Sequence, residues 1–275
     1  MKLEALFQNP TALPTAPKVV EELIASFDKA SVSTEEVAKK LSADPVLSAK
    51  LLRLANSAYY HVSRSIGTVE DAVLMLGFVT VRTLVISSGL VSGFKSVPGL
   101  DLKQFWRYSL YTACAAKWIA KKTKENTDLA FTIGMMHAIG QLVIHSAMPE
   151  QAMQLGKVAG PLDSRRLDTE KQSLGYTYAD VGAELARRWK FPDVFAETIA
   201  HYPDPLNDED ATHLCGVIHL ASWRARVEEN GLSAEEIAAC YPEELAAELG
   251  LAPNALLDDM PPPSELSAGL EELIK

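Results

Sequence analysis

Residues 134–145 read GMMHAIGQLVIH, and the way this stretch is read decides the fold. It lies inside a long uncharged run, Phe131 to Met148, whose polar groups include His137, Gln141 and His145. A membrane span needs about 20 predominantly apolar residues, so the run is expected to be a buried core helix. Gly134 and Gly140 each cost a helix about 1 kcal/mol relative to alanine. They are expected where neighbouring helices come close. A histidine followed by aspartate on such a helix would offer a metal two ligands. Here His137 is followed by Ala138, which coordinates nothing.

Outward from this segment the periodicity is helical almost everywhere. Pro17 suits the first turn of a helix through VVEELIASF, residues 19–27. Ser33 with Glu36 forms a capping-box pattern, and Asp44-Pro45 pairs an N-cap with proline at the first helical position. Apolar residues at 47, 51, 54, 55 and 58 mark one helical face. A helix pair follows, broken near Gly77, and then Val97-Pro98-Gly99 interrupts the chain. Beyond it, helices are expected over 101–124, 128–147, 150–158, 174–190, from Phe191-Pro192 to His201, and over 211–229. Two acidic amphipathic helices should flank Pro261-Pro262-Pro263. The fold class is all-α: a two-lobed helical bundle.

Charge is unevenly divided. Residues 1–200 carry 23 Lys/Arg against 20 Asp/Glu, whereas residues 201–275 carry 3 against 16. Such a C-terminal part repels phosphate backbones and favours a basic partner or simple solubility. Three cysteines, Cys114, Cys215 and Cys240, suit neither a disulfide framework nor a zinc motif. The N-terminus has no continuous apolar run of the signal-peptide kind. A cytoplasmic location is expected, without membrane association.

Several motifs in order, LPTAP, LSADPVLSAKLLRLANSAYY, IGTVEDAVLMLGFVTVRTLVIS, FWRYSL and GMMHAIGQLVI, resemble the HDOD family. These are bacterial signalling domains related to the HD metal-dependent phosphohydrolases. The resemblance covers about residues 10 to 225. It implies an N-terminal helical lobe over 1–98, an HD-like bundle over 99–229 and an acidic helical extension over 230–275. HD enzymes hold metal through an early histidine, a His-Asp pair and a late aspartate, which together activate a bound water. Carried over position by position, these fall on Tyr108, His137 with Ala138, and Ser222. One of four ligands survives. Losing a single supporting partner already costs 10–100-fold in metal affinity, so a degenerate metal site is expected, with no catalytic residue, bound metal or cofactor.

His201 falls where HD relatives often carry an additional histidine. Together with Tyr108, His137, Ala138 and Ser222 it is a candidate for lining a vestigial pocket. His213 and His219, six residues apart, point to nearly opposite sides of a helix and form no ligand pair. Asn56 and Tyr59, in a characteristic family stretch, read as structural: an asparagine tying a helix end to the next loop. Lys39, Lys40, Lys50, Arg53 and Arg64 form a local basic cluster, yet such faces are usually only solvated, and nucleic acid is not the expected partner. A protein partner in a bacterial signalling pathway is expected, with a small ligand or nucleotide as a further possibility. A metal-dependent phosphohydrolase with a rearranged site is the alternative.

Overall fold

A computed structural model describes residues 3–7 and 33–274. The expected helix over 19–27 lies outside the described residues. Among those described there is no strand, and the all-α class holds. The chain divides into two compact units: one of residues 1–14, 96–188 and 193–266, the other of residues 15–95, 189–192 and 267–275.

In the second unit, α2 (Thr34–Ser42) and α3 (Pro45–Ala55) pack on the long α4 (Val69–Gly93); the short α1 (Leu3–Leu6) belongs to the first unit. Ser33 Oγ accepts from Glu36 N at 3.1 Å, and Asp44 Oδ1 accepts from Val46 N and Leu47 N. These side chains satisfy amide donors that a helix start leaves open. Gly77, at φ 77° and ψ 157°, breaks α4 where the sequence expects it to. Asn56 ties the end of α3 to the following loop. Its Nδ2 donates to Leu52 O and Ile66 O, and its Oδ1 accepts from Ile66 N and Ser65 Oγ. Tyr59, on the short 3-10 turn that follows, meets Tyr60 edge-on. Within the basic cluster, Lys50 is buried against Ser88 Oγ and Arg53 is paired with Glu272 at 2.6 Å.

The first unit is the bundle. Asp101 caps α5 (Leu102–Thr123), and Asn126 caps α6 (Thr127–Met136). Then come α7 (Ile139–Ala147), α8 (Pro149–Val158), α9 (Arg166–Leu174), α10 (Tyr178–Arg188), α11 (Asp193–His201) and α12 (His213–Asn230). The single helix expected over 128–147 is two, parted at His137–Ala138, where Ala138 sits at φ −104° and ψ 9°. A helix expected from 174 begins at Tyr178, preceded by α9, which the polar sequence RLDTEKQSL did not reveal. Among the described residues the acidic C-terminal part is not two amphipathic helices but four short α-helices, α13 (Ala234–Ala239), α14 (Glu243–Glu248), α15 (Ala255–Asp258) and α16 (Pro263–Leu266), and a 3-10 turn, Glu271–Leu273. Nor is it a free tail: Leu245, Leu249, Leu256 and Met260 are buried in the core.

The run 131–148 is core, as its glycines imply. A Cβ on Gly140 would stand 1.9 Å from Tyr178 O and 2.7 Å from Gly182 N, and one on Gly134 would stand 2.7 Å from Ala113 Cα. Backbone meets backbone at both crossings, so no side chain can step aside. Gly156 on α8 has nothing within 4 Å of the equivalent position. Gly140→Ala is therefore predicted to destabilise the fold by about 1–3 kcal/mol or more through overpacking, while Gly156→Ala stabilises it by about 0.4–1 kcal/mol. Urea unfolding of the two variants checks this. Equal midpoints would refute the close crossing.

Candidate functional site

His137 sits where α6 gives way to α7. Its Nδ1 lies 2.7 Å from Gly134 O, so the Nδ1–H donates to that carbonyl and a lone pair remains on Nε2. Nε2 has no hydrogen-bond partner among the described residues. Tyr108, from the middle of α5, turns its ring edge-on to the imidazole with centroids 5.0 Å apart. Tyr202, just past the end of α11, does the same at 5.6 Å. The Tyr202 hydroxyl donates to the Tyr178 hydroxyl at 2.8 Å. On α12, Ser222 Oγ donates to His219 O at 2.9 Å, and His219 Nδ1 lies 3.0 Å from Tyr202 O. Thus α5, the α6–α7 break, α10, α11 and α12 converge on one buried polar centre.

Burial dominates its electrostatics. It pushes the His137 pKa down to about 4, with Arg226 adding to the effect and the Gly134 carbonyl opposing it. It also raises the phenols of Tyr108, Tyr178 and Tyr202. At neutral pH the centre therefore holds a neutral imidazole and neutral phenols. The charge beside it belongs to Arg226, one turn beyond Ser222 on α12. Burial works against that charge, yet the facing phenols of Tyr108, Tyr178 and Tyr202 hold the Arg226 pKa above its ordinary value.

Of the residues singled out from sequence, Tyr108, His137 and Ser222 come together here, and Ala138 lies beside them with its methyl fully buried. His201 does not join them. It is partly exposed and bonds Asp208 Oδ2 at 2.7 Å. His213 is exposed, 4.0 Å from Glu125. His145 is bound to Pro98 O at 2.9 Å. Tyr178, Tyr202 and Arg226 were missed. The tyrosines look like ordinary core aromatics in sequence, but the i, i+4 relation of Ser222 to Arg226 was a signal.

A metal does not fit this set. Imidazole Nε2 is one available donor, but around it stand a methyl, a neutral phenol and a hydroxyl already bonded to a carbonyl. A fixed guanidinium nearby repels a divalent cation. Among the described residues, no three His, Cys, Asp or Glu side chains converge as a metal site requires.

A second buried polar cluster braces the neighbouring loop. Arg166 Nε donates to Glu170 Oε1 at 2.6 Å and its Nη1 to Ala159 O, and Glu170 Oε2 accepts from Tyr178 N. Gln141 Nε2 donates to Pro161 O at 3.0 Å. The loop 159–164 is thereby fixed from two helices.

A model of the HDOD domain matches residues 13–205. The chain belongs to the HDOD domain family. Over its full length it is similar to a solved protein of Shewanella amazonensis named "Putative phosphohydrolase", at 32% identity and a TM-score of 0.78, covering 98% of this chain and 96% of that one. An HDOD domain protein with unknown function from Geobacter sulfurreducens shares the fold at 22% identity and a TM-score of 0.73, covering 98% and 97%. A curated relative from Treponema pallidum (strain Nichols), named "Uncharacterized protein", is 26% identical over 230 residues. That alignment takes in 82% of this HDOD chain but 44% of the relative, so the chain spans under half of its length.

The depressed His137 pKa makes stability depend on pH. Between about pH 6.5 and 4 the unfolded imidazole takes up a proton that the folded one refuses. Its contribution is complete above that window and is lost as pH falls through it, amounting to about 3 kcal/mol at most. His145 and His219 are lowered by burial and act in the same direction. His137→Phe is predicted to flatten the fall in stability from about pH 7 to about pH 4 relative to wild type. Parallel urea titrations across that range measure it. Identical slopes would show that His137 is free to protonate in the folded protein.

Proposed function

We propose that this HDOD chain is a non-catalytic regulatory module, acting through contacts with a protein partner in a bacterial signalling pathway or through a small ligand. The observation that supports this best is the composition of the buried centre. Where HD enzymes place metal ligands, the chain has Tyr108, Ala138 and Ser222, packed around a neutral His137 and beside the fixed charge of Arg226. Hydrolysis in HD enzymes requires a metal to generate hydroxide near neutral pH. No group in the described centre generates hydroxide as a metal does: His137, with its pKa lowered to about 4, is only a weak base near pH 7, and the phenols are held neutral by burial. The similarity to the Shewanella amazonensis protein favours a second reading, a metal-dependent phosphohydrolase with a rearranged site.

Two measurements separate them. Purified protein dialysed against a weak chelator is predicted to hold far less than one zinc, iron or manganese per chain. Phosphodiesterase and nucleotidase assays are predicted to show no metal-dependent turnover, and Ala138→Asp to restore none, because Tyr108 and Ser222 remain. Turnover by the wild type that is abolished by chelator and by His137→Ala would overturn the regulatory reading.

A further inference from the structure

Against the buried centre lies an open cleft of about 620 Å³. One wall is α12, contributing Trp223, Arg226, Val227 and Asn230. The facing wall is the loop Gly160–Ser164, and Leu232, Glu236 and Cys240 close the rim. Its size falls in the range of small-molecule sites, about 300–1,000 Å³.

The facing wall is preorganised. Ala159 O is held by Arg166, Pro161 O by Gln141 and Leu162 O by Asn230 Nδ2 at 3.3 Å. A loop fixed in this way needs little ordering when a ligand arrives. The charges are not equivalent. Asp163 is spent on Arg165, at 2.6 Å and 3.0 Å, and Glu236 is spent on Ser233 at its helix start. Arg226 makes no ion pair or hydrogen bond among the described residues, although it is half-buried. A guanidinium offers five donors in a planar fork that matches a carboxylate or phosphate. Burying one unpaired is costly, and an anion entering the cleft would offset that cost.

We propose that this cleft binds a small organic anion: one carboxylate or phosphate head on Arg226, carried by a flat or apolar body lying along Leu162, Val227 and Leu232. The two acids lining the cleft, Asp163 on the loop and Glu236 on the rim, disfavour a second negative group, which excludes polyphosphates and nucleic acid. The amides of Gln104 and Asn230 offer polar contacts to the body. Arg226 faces the tyrosines of the buried centre as well as the cleft, so an anion there shifts the field on Tyr108, Tyr178 and Tyr202. The proposal deepens the small-ligand part of the regulatory reading and rests on it only in that the ligand is held and not turned over.

Cys240 provides a local reporter. It is exposed and lines the cleft, whereas Cys114 and Cys215 are buried. The experiment follows N-ethylmaleimide modification of Cys240, with calorimetry in parallel, in the presence of adenosine 5′-monophosphate, indole-3-acetate, inorganic phosphate or adenosine. Either organic anion, or both, should bind in the millimolar range or tighter and slow modification, which separates the phosphate from the carboxylate source. Adenosine, lacking the charge, should do neither. Arg226→Met should weaken binding at least about tenfold, equivalent to about 1.4 kcal/mol, and Arg226→Lys, which keeps charge but loses the fork, should give an intermediate loss. Should Arg226→Met fail to fold, Arg226→Lys together with wild-type protection of Cys240 carries the result. No binding by either organic anion at millimolar concentration overturns the proposal. So does binding that leaves Cys240 unprotected, or that Arg226→Lys does not weaken. Release of phosphate from adenosine 5′-monophosphate in the same tubes would overturn the non-catalytic reading while leaving the cleft assignment standing.

Discussion

The bundle depends on how closely α7 is allowed to approach α10. At Gly140 the backbones are in contact, with room for a hydrogen atom and none for a methyl. That approach brings Tyr178, at the first position of α10, to the level of the α6–α7 break. From there its hydroxyl meets Tyr202, and Tyr202 reaches the edge of His137. Gly134 does the same six residues earlier, drawing α6 against Ala113 of α5 and so setting Tyr108 beside the imidazole. Two missing side chains place the three aromatic rings. Each glycine costs a helix about 1 kcal/mol in isolation, and the burial of Tyr108, Tyr178 and Tyr202 offsets that cost several-fold.

The same two glycines explain what was legible in advance. Their presence in an apolar run pointed to a central helix crossed at short range, and capping residues such as Asp44, Asp101 and Asn126 mark helix starts through local chemistry alone. The family motifs put Tyr108, His137 and Ser222 at related positions, and the structure brings these three together. Other features are set by distant contacts. The break at His137–Ala138 falls between the close crossings at Gly134 and Gly140, and no proline or polar pair announces it. The helix α9 is held by Arg166 and Glu170 folding back to Ala159 and Tyr178, so its apolar face is small and its periodicity weak. Tyr178 and Tyr202 lie 24 residues apart, and no spacing rule joins them.

Charge partition, too, changes meaning once the fold is known. A segment with 16 acids and 3 basic residues in 75 looks like an independent tail. Leu214, Leu220, Leu245, Leu249 and Leu256, however, are core residues, and several acids have internal work. Glu229 receives both Arg107 Nε and Nη2, Glu228 accepts from Ser264 N and lies beside Arg224, and Glu272 pairs with Arg53. Each of these pairs is at least partly covered by the fold. Their consequence is for recognition: acids engaged within the fold offer less to a basic partner than composition alone suggests. The basic cluster of the other unit is reduced in the same way, since Lys50 and Arg53 are both engaged.

What remains unspent is therefore informative. The centre of an HD enzyme is organised around a cation that polarises water, and its protein ligands are accordingly anionic or neutral donors. Here the cation near that centre is covalently part of the chain. A guanidinium cannot act as a Lewis acid toward water, but it remains charged at any physiological pH. It faces weakly acidic phenols on one side and the cleft on the other. Among the described residues, Ala138 and Ser222 bring no carboxylate to the centre, and Arg226 forms no ion pair there. The acid it does act on, Asp163, lines the cleft and is held by Arg165. On the reading proposed above, the chain would hold an anion beside this centre without a metal to cleave it.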